Sequence, residues 1–138
     1  MANKFTNRYL SFCNSLASLR RAEGRDASDE FVLSGTVQKF SLTFDISWKV
    51  MKDIITKYHG ITDFASGSPK ETLRTARSVD LINDDIWLNM LDDRSELTHD
   101  YDGSMTKECF ERIIHEYIPI FTEFQQKAEA YIFQISNT

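Results

Sequence analysis

The sequence predicts an all-α protein, an antiparallel up-and-down bundle of four to five helices forming a single domain over residues 1–138. Three observations carry this. Apolar residues recur at spacings of three and four over long stretches, which stripes one face of a helix. Only five glycines and two prolines punctuate the 138 residues, too few for the turns of a many-stranded sandwich or barrel. Hydrophobic residues make up 41% of the chain, including ten Phe, so one core can offset the entropy of ordering a domain of this size.

Taken in order, Phe5, Tyr9, Phe12, Cys13, Leu16 and Leu19 place a first helix from about Lys4 to Ala22. The polar stretch Glu23 to Asp29, which contains Gly24, breaks the stripe and reads as a loop. Val37, Phe40, Phe44, Trp48, Met51, Ile55 and Tyr58 mark a longer helix from about Glu30 to His59, with Gly60 ending it. Ser68, Pro69 and Glu71 form a start signal: a hydroxyl cap, a proline at the first helical position and a carboxylate three residues after the cap. That third helix runs to about Ser78. Asn83 is expected to cap a fourth, with Asp84 and Asp85 at the positive end of its dipole and the helix running towards Thr98. After the turn Asp102-Gly103-Ser104, residues from Phe110 to Ile132 mark a last long helix that Pro119 should kink.

A net charge of −5 excludes a protein that coats nucleic acid by bulk attraction, so any RNA contact must be local. Cys13 and Cys109 lie within apolar helical patterns and form no CxxC or Cys/His cluster. Both are expected to be reduced, and no metal site or cofactor is expected. With no signal peptide and no apolar run approaching the roughly 20 residues of a membrane span, the expected location is the cytoplasm.

The chemistry concentrates in Asp92-Asp93-Arg94-Ser95-Glu96-Leu97-Thr98-His99-Asp100-Tyr101. Arginine can hold a phosphate through two parallel hydrogen bonds, and histidine exchanges a proton near neutral pH. The two together suit phosphodiester chemistry. On a straight helix, Arg94 and Tyr101 lie within roughly 20° of each other, whereas His99 lies about 140° from Arg94. His99 meets the arginine only if it falls past the last regular turn, or if two copies face each other across a dimer seam. The spacing leaves both routes open, and it equally allows these residues to be no more than a solvated, salt-bridged face.

Arg94-x4-His99-x-Tyr101, preceded by Trp87-Leu88-Asn89-Met90-Leu91 and followed by a long aromatic helix, resembles the signature of the HEPN superfamily. It is similar to the branch of nucleotidyltransferase substrate-binding proteins and HepT-like toxins. Phe40-x3-Phe44-x3-Trp48-Lys49, with Lys52-Asp53 after it, resembles that branch as well, so the likeness covers nearly the whole chain. One departure is Ser95, where many relatives carry asparagine.

The resemblance implies a homodimeric bundle encoded beside a minimal nucleotidyltransferase, with the paired motifs lining a cleft. It implies a toxin that cleaves RNA without metal, Arg94 and His99 being catalytic, Ser95 supporting, and Tyr101 accepting the AMP by which the partner silences it. The alternative it carries is a non-catalytic substrate-binding subunit of a nucleotidyltransferase. Beside this motif, Lys70, Arg74 and Arg77 share one side of the third helix and read as a solvated face. His59 reads as a helix C-terminal cation and His115 as a rim residue. Trp48 and Trp87 read as core or interface anchors rather than base-stacking platforms.

Overall fold

The structure, a computed structural model, describes residues 3–97 and 104–136. Among them there are six α-helices, one π-helical turn and no strand, so the helical bundle expected from the apolar spacing is the fold. Helix α1 spans Lys4–Arg20, α2 Glu30–Lys57, α3 Pro69–Ser78, α4 Ile86–Leu97, α5 Ser104–Arg112 and α6 Ile118–Ser136, with the π turn at Ile113–Tyr117.

Side-chain oxygens start the helices by satisfying amides that have no partner in the first turn. Asn3 accepts from the Thr6 N–H at 2.9 Å, Asp29 from the Phe31 N–H at 2.8 Å, and Ser68 from the Glu71 N–H at 3.3 Å. The start of α4 differs from expectation. Its capping oxygen belongs to Asp84, which accepts from the Ile86 N–H at 3.0 Å, and not to Asn83. Asp85 meanwhile turns back to bond Arg77 on α3, so it ties the start of α4 to α3.

Helix α1 stops at Arg20, before Ala22, because the amides of Arg21, Ala22 and Glu23 reach back only three residues and tighten the coil. Gly24 then takes φ +78° and turns the chain. Gly60, at φ +69°, ends α2, and the Ile61 N–H closes back onto the Ile55 carbonyl at 3.1 Å.

Pro119 acts on the last helix in a specific way. Proline has no N–H, and its ring collides with the carbonyl four residues earlier in a regular helix. Here the preceding turn is widened, with the Ile118 N–H bonding the Ile113 carbonyl five residues back, which gives the ring room. The single long helix expected there is therefore α5, the π turn and α6 in succession.

Paired contacts give the helix directions. Arg8 meets Asp53 and Ser15 meets Thr43, so α1 and α2 run antiparallel. Phe40 stacks on Tyr117 while Tyr58 meets Tyr131, so α2 and α6 run parallel. Phe12, Phe40, Phe44, Trp87, Phe121 and Phe124 fill the centre. Trp87 stands edge-on to Phe121 and Phe124 with centroids 5.5 Å away, a preferred geometry for aromatic pairs. Both tryptophans are buried, as core anchors should be. Cys13 and Cys109 are unbridged. No helix among the described residues is long and apolar enough to cross a membrane.

Candidate functional site

Helix α4 sets two adjacent residues to opposite tasks, because consecutive positions on a helix lie about 100° apart. Asp93 turns inward and Arg94 turns outward. The carboxylate of Asp93 receives Nε and Nη2 of Arg112, each at 2.7 Å, and the hydroxyl of Tyr117 donates to it as well. Tyr117 is fully buried, and burial followed by its bond to Asp93 raises its pKa far above the ordinary tyrosine value. Its hydroxyl thus stays protonated as a donor. The Arg112 pKa is raised too, first by the bond to Asp93. This triad fastens α4 to α5 and to the end of the π turn.

Arg94 faces a groove. Its Nη2 donates to Asp45 Oδ2 at 2.8 Å, while Nε lies 2.8 Å from Oδ1 without the alignment of a hydrogen bond. Asp45 comes from α2, 49 residues away in sequence. The arginine side chain is 36% exposed and the aspartate 29%. Beside them opens a cavity of about 260 Å³ lined by Val37, Gln38, Ser41, Arg94 and Leu97. The contact with Asp45 holds one edge of the guanidinium and leaves the Nη1 side uncommitted to that carboxylate. An arginine braced in this way can present its remaining donors to an anion with little further ordering.

Ser95 follows on the exposed side of α4. His99 and Tyr101 lie outside the described residues, so the two routes by which His99 could meet Arg94 both stand. Sequence reasoning missed Asp45 and Arg112 and left Asp93 among the solvated acids. A helix-period count sets Arg94, about 20° from Trp87 and about 40° from Met90, nearer that face of α4 than Asp93, so the inward turn of Asp93 was not legible in the spacing.

The remaining residues singled out by sequence have local roles. Arg74 pairs with Glu71 at 2.9 Å and Arg77 with Asp85, as on a solvated face. His115 is exposed and 3.3 Å from Glu111. His59 packs against Tyr58 and Tyr131 at the end of α2. Among the described residues no group of three or more His, Cys, Asp or Glu side chains is placed to hold a metal ion.

Set beside known proteins, residues 7–130 match the model of a family described as nucleotidyltransferase substrate binding protein like. A crystal structure of a protein from Thermus thermophilus superposes with a TM-score of 0.70 at 24% sequence identity, covering 88% of this chain and 98% of that one. It shares the fold. No curated protein matches the chain. Since the family model spans all but the chain's ends, from α1 to α6, this protein belongs to the nucleotidyltransferase substrate-binding-like family.

Proposed function

We propose that this protein is the toxin half of a two-gene system, a metal-independent ribonuclease that a separate minimal nucleotidyltransferase silences by attaching AMP to Tyr101. The observation that carries the reading is Arg94, braced by Asp45 at the lip of an open groove and five residues before His99 in the Arg-x4-His-x-Tyr motif.

His99 takes the proton from a ribose 2′-hydroxyl, and the 2′-oxygen attacks the adjacent phosphorus as the bond to the 5′-oxygen breaks. A proton supplied to that oxygen completes the cleavage, leaving a cyclic phosphate and a 5′-hydroxyl. Arg94 meets the charge that develops on the phosphate oxygens. Asp45 is a positioning residue. Two copies of the motif, one from each subunit of a homodimer, would line the cleft. AMP on Tyr101 would place a second phosphate beside Arg94 and compete with RNA for it.

The family's description favours a second reading, a substrate-binding subunit that presents its groove to the nucleotidyltransferase and cuts nothing. Incubation with the neighbouring nucleotidyltransferase and ATP separates the two. The toxin reading expects AMP on Tyr101, found by mass spectrometry, with loss of RNA cleavage, and a Tyr101→Phe protein that stays active in its presence. Modification without any RNA cleavage by the unmodified chain would leave the substrate-binding reading.

A further inference from the structure

At the opposite end of α2 from its Gly60 stop, the end of α1, the loop after it and the first turns of α2 flank a second, open cavity of about 250 Å³. Its lining includes Arg21, Arg25 and Lys39, with Phe31 and Gly35 on the α2 side. No acidic residue lines it. Arg21, Arg25 and Lys39 are all exposed at its rim, a local cluster of positive charge on a chain whose net charge is −5. Arg25 is held in place, its Nε donating to the Arg21 carbonyl at 3.2 Å. Phe31 is 80% exposed, the most exposed of the large hydrophobic side chains among the described residues. Phe31, Gly35 and Lys39 are spaced four apart and so share one stripe of α2.

Gly35 gives the cavity its shape. Glycine inside a helix costs about 1 kcal/mol relative to alanine, a cost often explained by close approach of a neighbouring helix. That explanation fails here, because a Cβ at Gly35 would meet no atom within 4 Å. The missing side chain leaves open space between an aromatic ring and a lysine.

We infer that this cavity binds a phosphorylated nucleoside, the base stacking on Phe31 and the phosphates lying between Arg21, Arg25 and Lys39. Aromatic rings stack on every base, and arginine forks match phosphate oxygens. The ligand is a free nucleotide or the 5′-phosphorylated end of an RNA, which present the same chemistry. The site is separate from Arg94 and stands whether or not RNA is cut there.

The test is isothermal titration of the full-length protein with ATP, with a 5′-phosphorylated RNA hexamer and with its 5′-hydroxyl counterpart. Binding of ATP alone assigns the site to a free nucleotide, and preference for the 5′-phosphorylated over the 5′-hydroxyl hexamer assigns it to an RNA end. Arg21→Gln and Lys39→Gln should each weaken binding about tenfold, the loss of one charge-assisted hydrogen bond. Phe31→Ala should weaken it by a similar factor. Gly35→Leu should abolish it while the protein keeps or raises its melting temperature, since the new side chain enters open space and leucine favours helix. No binding of ATP or of the 5′-phosphorylated hexamer at about 1 mM would overturn the assignment. So would unchanged binding by folded Gly35→Leu, or by Phe31→Ala.

Discussion

Two arginine–aspartate pairs meet on α4 one residue apart, and their settings differ. The Asp93–Arg112 pair is two-pronged, joined by the hydroxyl of a fully buried tyrosine, and its aspartate side chain is 11% exposed. The Arg94–Asp45 pair is about one-third exposed on both sides and opens onto a groove. Geometry of this kind separates a brace from a site. A buried carboxylate whose acceptor positions are filled by an arginine fork and a phenol has little left for a ligand. A partly solvated pair gains little from its own attraction, so the arginine can turn to a phosphate at small cost.

Unequal stability effects should follow. Asp93→Ala removes the buried acceptor that the Tyr117 hydroxyl and the Arg112 fork share. Breaking a buried pair costs about 3–5 kcal/mol, and the partial exposure of Arg112, 31%, lowers the expectation to about 3. Asp45→Ala should cost less than about 1 kcal/mol. Urea unfolding of the two variants measures both, and equal losses would erase the distinction. Tyr117→Phe sharpens it, since the carboxylate keeps Arg112 while the hydroxyl's bond to Asp93 and its contact with Arg112 go, a loss of about 1–2 kcal/mol on the same assay.

A third pair, Arg8–Asp53, extends the comparison to pH. Arg8 Nη1 donates to Asp53 Oδ1 at 2.7 Å, while Oδ2 is buried without a hydrogen-bond donor. Burial, only partly offset by Arg8, raises the Asp53 pKa. A raised folded-state pKa gives stability that is complete below the ordinary carboxylate value, about 4, and is lost as pH rises through the higher value. Asp53→Asn should therefore flatten any decline in melting temperature above about pH 4. An unchanged profile would show that Arg8 already satisfies the carboxylate.

Much of the bundle could be read from residues. The stripe through Phe40, Phe44 and Trp48, the Ser68-Pro69-Glu71 start and the stop at Gly60 depend on local chemistry, and local chemistry is written in order along the chain. The wide turn before Pro119 was legible only as a disturbance, because several backbone solutions give the ring room. The partner of Arg94 was hidden for another reason. Asp45 is brought to it by the packing of α4 on α2, and nothing in the spacing of the two residues marks a contact across 49 positions.

The most direct test of the proposed function is cleavage of a labelled RNA by the purified wild-type, Arg94→Ala and His99→Ala proteins, with melting temperatures taken in parallel. Both variants should melt close to the wild type. Cleavage should fall by about 10²- to 10⁴-fold for His99→Ala and by about 10²-fold or more for Arg94→Ala, and a chelator should leave the wild-type rate unchanged. Undiminished cleavage by folded His99→Ala, or no cleavage by the wild type across varied RNAs, would contradict it.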